Sequence, residues 1–282
     1  MKPKSLFIAV LLILAGATGH AGEQAVLDLA TGQRVGLDEI LPRILKARVV
    51  VVGEKHATES HHRAQMRVIQ ALDQAGARVA VGLEMFRRDS QTELDRWVGG
   101  QISPEDFQAV FADNWGFPRA PYRSVFDYAR TNRIPLIALN IPREITRQVA
   151  RDGYQSLSEA QRGQIGNVTC DVDEAYMDFI RGAHGAHGHG QMNFTYFCEA
   201  QMLWDAAMAA RTVEVLKADP KTVVVVLTGV GHARRGAIPR QIAQRSEAAS
   251  VLVLLPEVPG DITAATVGKA DADYLLLGLE AD

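Results

Sequence analysis

The chain has 282 residues, 47% hydrophobic and 22% charged, with two cysteines and a formal net charge of −3. That balance excludes a disordered polymer, a collagen-like rod and a disulfide-dense mini-protein, and it supplies no general positive field for nucleic acid. The length suits one large α/β domain or two small ones, and a chain this long needs no metal or disulfide to hold a core.

Residues 1–4 form a short basic head, 5–15 an apolar run, and Gly19 and Ala21 are small residues placed for cleavage after Ala21. This is the layout of a secretory signal peptide, residues 1–21. The run falls short of the roughly 20 apolar residues that span a bilayer, and a buried N-terminal helix or strand is the alternative. Leu14-Ala15-Gly16 resembles a bacterial lipobox, but Ala17 stands where a lipoprotein needs cysteine. The expectation is a soluble, exported, periplasmic protein without a lipid anchor and without a transmembrane segment once the leader is removed.

The mature residues 22–282 read as a single α/β domain. Residues 25–29 suggest a short strand and 37–46 a helix. Aliphatic, β-branched runs follow at 48–52, 78–83, 134–139, 222–227, 250–255 and 274–277. Runs apolar on both faces indicate buried strands of a mainly parallel sheet. Helical spacing at 60–74, 121–132, 143–151, 158–166, 173–181, 193–218 and 239–246 places helices on both faces. No Pro-, Gly- or Ser-rich linker divides the chain, so residues of about 141–218 are expected as a helical insertion between the third and fourth core strands.

Ligands of an open parallel sheet bind outside the carboxyl ends of its strands. Those ends carry Gly53, Glu54 and His56, then Glu84, then Asn140, then Thr228, Gly229 and His232. Gly53-Glu54-Lys55-His56 and Gly229-Val230-Gly231-His232 repeat one Gly-x-x-His pattern after two strong strands. Glu54, His56, Glu84 and His232 would suit a divalent ion, with imidazole and carboxylate ligands, or an acid/base pair that activates water. The plain alternative is loop carboxylates and hydrogen-bonded loop histidines.

Further histidines crowd into two segments. On the 60–74 helix His62 is expected to face the site and His61 the solvent; the alternative is two surface histidines. Gln201, Asp205 and Met208 share a stripe of the 193–218 helix, and a buried Gln–Asp pair there needs partners. Residues 181–192 (RGAHGAHGHGQM) set His184, His187 and His189 among glycines, a mobile loop able to close over a ligand or simply an adventitious metal-binding tract. Export makes a Cys170–Cys198 disulfide the default, bracketing this loop and stabilising by roughly 3–4 kcal/mol; the alternative is two thiols that never meet.

Taken together, VVVGEKH at 50–56 followed by His62 and Gln65, VGLEMFRR at 81–88, DNWGF at 113–117 followed by Tyr122, IALNIPREI at 137–145, EAQMLWDAAMA at 199–209 and LTGVGHARRGAIP at 227–239 carry a resemblance. The chain resembles the ChaN-like haem-binding uptake family within the Tiki/TraB/erythromycin-esterase superfamily. The resemblance implies haem binding at the cell envelope, a link to haem and iron uptake, and a homodimer around paired haems. Other branches of the superfamily imply instead a metal-dependent hydrolase, protease- or esterase-like, using the strand-end Glu and His residues. No short motif transfers a haem ligand, and the candidates are His184, His187, His189 and Tyr176, since haem iron accepts His or Tyr.

Overall fold

The computed structural model describes residues 24–165, 168, 174–186 and 193–279. The expected leader, Cys170, His187 and His189 lie outside them.

The architecture follows from the period-2 alternation of six apolar strands. β1 (Ala25–Asp28), β2 (Arg34–Gly36), β3 (Val49–Glu54), β4 (Arg78–Arg87), β5 (Leu136–Asn140), β6 (Thr222–Gly229), β7 (Val251–Pro256) and β8 (Tyr274–Leu276) form one sheet in the order β2-β1-β8-β7-β3-β6-β4-β5. From β8 to β5 every pairing is parallel, and only β1 runs antiparallel to its neighbours β2 and β8. Val50 and Val52 of β3 and Val225 and Leu227 of β6 face one core. Their alternates Val49, Val51, Val224 and Val226 face a second.

The first face is covered by α1 (Leu37–Ile44), α2 (Glu59–Gln74), α3 (Gln91–Val98), α4 (Pro104–Asn114) and α5 (Arg123–Asn132). The second is covered by α9 (Phe194–Ala218) and, past the one-turn α10 (Val230–Ala233), by α11 (Ile238–Arg245). Between β5 and β6 the chain also forms α6 (Arg143–Asp152), α7 (Glu159–Ile165) and α8 (Glu174–Ala186). These pack on α9 around a third core that includes Val149, Tyr176, Phe197 and Leu203.

Two features depart from the sequence expectations. α3 and α4 fill the stretch after β4, and their signals are legible in retrospect. The Ser103 hydroxyl caps α4 by accepting from the Asp106 amide, Pro104 occupies the first turn, and Phe107 and Phe111 recur one turn apart in the core. The second feature corrects an expectation: residues 181–186 belong to α8 and not to a loop. The His184 ring packs edge-on against Phe194 and Phe197, with centroids 5.5 and 5.2 Å away, and that apolar contact holds a glycine-bearing segment helical. Cys198 is buried and disulfide-bonded, and the chain's other cysteine is Cys170.

The turn after α6 depends on one glycine. Gly153 has φ +82°, and a Cβ there would lie 2.7 Å from Cε1 of Tyr196 on α9. Gly153→Ala combines left-handed strain with overpacking and should lower stability by roughly 1–3 kcal/mol, read as a drop in the urea midpoint.

Candidate functional site

Three neighbouring parallel strands, β3, β6 and β4, end together, and each delivers polar groups to one place. Glu54 closes β3 and is 1% exposed. Its Oε1 lies 2.7 Å from His56 Nδ1 and accepts from the Tyr122 hydroxyl at 3.0 Å. Its Oε2 lies 2.8 Å from Nδ1 of His62, on α2. Burial alone would push this carboxyl up; the hydrogen bonds of His56 and His62 outweigh it and hold the pKa at about 2.

The tautomers follow from the neighbours. Gln65 Nε2 donates to the Val52 carbonyl, so its Oε1 faces His62 Nδ1 at 3.0 Å. With acceptors on both sides, His62 carries its proton on Nδ1, and Nε2 remains buried without a hydrogen-bond partner among the described residues. Trp115 Nε1 donates to the Tyr122 hydroxyl at 3.1 Å, which leaves the Tyr122 proton for Glu54. Burial and the Glu54 charge beside it raise the Tyr122 pKa far above the ordinary phenol value, so it acts as a fixed donor.

Glu84, on β4, is solved differently. Its Oε2 accepts from the Thr228 hydroxyl and the Gly229 amide, both at 2.6 Å, and Asn140 Nδ2 donates to the Glu84 carbonyl at 2.9 Å. Gly229 is required by proximity. A Cβ there would sit 2.9 Å from His56 Cε1 and 3.7 Å from Glu84 Oε2. The second motif glycine thus exists so that the first motif's histidine can approach the backbone of β6.

His232 completes a second pair. Its Nδ1 lies 2.7 Å from Oδ1 of Asp205 on α9, and the Tyr176 hydroxyl donates to Oδ2 at 2.7 Å. Asp205 is fully buried. Burial works against the His232 imidazolium, but the Asp205 charge and hydrogen bond, with Glu84 beyond, raise its pKa to about 9. Burial also pushes the Asp205 carboxyl up against the pull of the His232 charge and hydrogen bond. His56 is raised too: burial opposes the charge, and the Glu54 hydrogen bond and Glu84 overcome it.

A cavity of about 750 Å³ opens over these strand ends. Glu54, His56, Gly229 and His232 lie at the strand-end side, and Phe179, Phe197 and Trp204 from α8 and α9 give it aromatic walls. Trp204 also meets the His232 ring edge-on at 5.7 Å. From α6 come Arg143 and Arg147, and Lys55 follows β3. A smaller cavity of about 180 Å³ shares His56, Arg143, Trp204 and His232 and reaches Glu84.

The structure therefore brings Glu54, His56, Glu84 and His232 together. Asp205, noted in the sequence as a buried residue in need of partners, anchors His232. Tyr176 is 2% exposed, and its hydroxyl is engaged by Asp205. His184 follows Ala183, which lines the cavity, and packs on Phe197, which also lines it. Two expectations need correction. His61 does not face solvent: it is 3% exposed, and its Nδ1 accepts the Lys55 amide at 2.9 Å, bracing the turn between Glu54 and His56. The divalent-ion site also finds no support, since among the described residues no group of three or more His, Cys, Asp or Glu is arranged to hold a metal ion. Glu54 faces His56 and His62, and Glu84 is held by the Thr228 hydroxyl and the Gly229 amide.

The His232 pair makes stability depend on pH. Its folded pKa, about 9, lies above the reference value of 6.5, so this stabilisation is fully present below about pH 6.5 and is lost as pH rises through 9. Urea unfolding should show a loss of up to about 3 kcal/mol between roughly pH 6 and 9.5. The loss should shrink in His232→Gln, where the titrating group is gone.

The sequence matches the family described as haem-binding uptake, Tiki superfamily, ChaN over residues 40–242. Among solved structures, one described as cofacial heme binding to ChaN of Campylobacter jejuni is similar over 90% of this chain and 96% of that one, with 21% identity and a TM-score of 0.71. A mutant of erythromycin esterase EreC in its open conformation covers 90% of this chain and 82% of its own, with 13% identity and a TM-score of 0.50. No curated protein sequence matches. At these identities the structural likeness speaks to the fold, an α/β architecture of the ChaN type. The family match spans well over half of the sequence, and the chain belongs to the ChaN haem-binding uptake family of the Tiki superfamily.

Proposed function

We propose that this chain is an exported haem-binding protein that handles haem for uptake in the bacterial envelope. The observation that carries the reading is the cavity of about 750 Å³ in a chain of this family, walled by Trp204, Phe179 and Phe197. Its size falls within the roughly 300–1,000 Å³ range of ligand pockets, and its mixture of aromatic walls and a few placed polar groups suits a planar, largely apolar ring. Its arginines and lysine supply cations for acidic substituents. Haem bound there would supply an iron centre needing one or two axial ligands.

His184, His187, His189 and Tyr176 are the ligands we propose for that iron. His184 borders the cavity through Ala183 and Phe197, whereas Tyr176 must first give up its bond to Asp205. The basic head, apolar run and small-residue site of residues 1–21 support export, and no helix among the described residues is long and apolar enough to cross a membrane. The cofacial haems described for the C. jejuni protein suggest the same arrangement here between two copies.

Titrating hemin into purified protein comprising residues 22–282 should give a saturable Soret shift at a fixed stoichiometry and a doubling of mass in solution. Joint replacement of His184, His187, His189 and Tyr176 should abolish the axial-ligand signature. The absence of any shift would overturn the reading; a shift that survives the replacement would remove these four as ligands.

A second reading is favoured by one observation: two histidine–carboxylate pairs, Glu54–His56 and Asp205–His232, open on the same cavity. Such pairs can take and return protons, and with Glu84 nearby they suit a hydrolase acting on esters or peptides. Measurable hydrolysis on broad ester and peptide panels, lost in both His56→Ala and His232→Ala, would favour it. Equal background rates for all three proteins would remove it.

A further inference from the structure

The cavity lies at the carboxyl ends of the strands. Their amino ends, across roughly 20–25 Å of sheet, form a second surface of different chemistry. There β3, β6 and β4 lie side by side and start at Val49, Thr222 and Arg78. Arg48 precedes β3, and its guanidinium donates to the Thr222 and Asp219 carbonyls at 3.2 and 3.5 Å. Arg78 pairs with the Asp219 carboxylate at 2.6 Å, and that bond, with the Lys221 amide, holds the carboxyl at about 2.

Asp219 is therefore committed to Arg78. Lys217 and Lys221, two residues to either side of it, are exposed, as is Lys46, two residues before Arg48. Their ammonium groups form no ion pair or hydrogen bond among the described residues. Lys217 complements the carboxyl end of α9, but Lys221 precedes a strand and serves no helix end. Five cations thus gather around one carboxylate, in a chain whose formal net charge is −3. Adding the exposed Glu247, in the turn before β7, still leaves an excess of positive charge. Leu45, beside Lys46, adds an apolar point: it is 38% exposed, and Phe117 is the other exposed large hydrophobic among the described residues.

This chemistry fits a lipid surface better than nucleic acid. Lysines on flexible stems reach a plane of headgroups, and a leucine among them enters the acyl boundary. Base stacking needs exposed rings, and Phe117 lies at the opposite end of the sheet, against His56. We propose that the amino-end surface docks the protein on an anionic phospholipid bilayer, with Lys46, Lys217 and Lys221 at the headgroup phosphates and Leu45 at the acyl boundary. The inference goes beyond the haem reading and is independent of what the cavity binds. Docked in this way, the protein holds its cavity on the side away from the bilayer.

The probes are vesicles of phosphatidylcholine alone and of phosphatidylcholine mixed with phosphatidylglycerol, sedimented with protein comprising residues 22–282. Binding should be confined to the vesicles with phosphatidylglycerol and should fall as salt is raised. Joint Lys46→Gln, Lys217→Gln and Lys221→Gln should lower partitioning by roughly fivefold for each lysine removed, and arginine at all three positions should retain it. Leu45→Ala should weaken binding several fold at unchanged charge. Circular dichroism and the urea midpoint should not move in the lysine variants, because the three ammonium groups make no internal contact. Equal binding to both kinds of vesicle, binding to neither, or binding indifferent to the three lysines overturns the proposal. Competition by inorganic phosphate at constant ionic strength would make the surface a free-anion site and overturns it too. Loss with the lysines but none with Leu45→Ala removes the leucine from the docking contact.

Discussion

Three carboxylates buried at one end of a parallel sheet set the terms for the rest of the molecule. Glu54, Glu84 and Asp205 are 1%, 7% and 0% exposed. An ionised carboxylate taken out of water costs several kcal/mol unless paired and hydrogen-bonded. Each is satisfied by a different device: two imidazoles and a phenol for Glu54, a hydroxyl and a strand amide for Glu84, and an imidazole and a phenol for Asp205. Much of the surrounding sequence is explained by that demand. Gln65 fixes the His62 tautomer, Trp115 directs the Tyr122 proton, Asn140 holds the Glu84 carbonyl, and Gly229 leaves space for His56.

Satisfying the carboxylates uses Nδ1 of both His56 and His232. In each ring the other nitrogen remains for the cavity, and the hydrogen bond to the carboxylate fixes the orientation of the ring. The insertion takes part because Asp205, Trp204 and Tyr176 come from α9 and α8, while Arg143 and Arg147 come from α6. A cavity that begins at the strand ends is therefore closed by helices from a separate stretch of chain. Its polarity is divided accordingly: neutralised acid at the sheet, apolar rings on α8 and α9, and unspent positive charge on α6.

Much of the fold was legible in the sequence because buried parallel strands impose a simple pattern. Val49 to Val52 and Val223 to Val226 are apolar on both faces since each face meets a helical layer. The repeated Gly-x-x-His and the lone Glu84 were legible for the same reason, each following such a run. Less could be read where packing overrides local preference. His61 and His62 are adjacent, and only the fold of the 55–62 turn sends both inward. The glycines at 182 and 185 argue against a helix locally, yet the aromatic contact of His184 sustains one. Asp205 advertised a need for partners without saying which.

By itself, the sequence determined which strands are buried, that polar residues gather at their carboxyl ends, and that the chain resembles the ChaN family. These follow from periodicity and order along the chain, which are local properties. The tertiary structure alone decided that Glu54 binds two histidines, that Asp205 reaches across from α9 to His232, and that Arg143 and Arg147 face the cavity without acidic partners among the described residues. Polar pairing depends on distances of a few ångströms between residues as far as 145 positions apart, as in Gly229 to Glu84. Only the three-dimensional packing of helices on the sheet sets those distances.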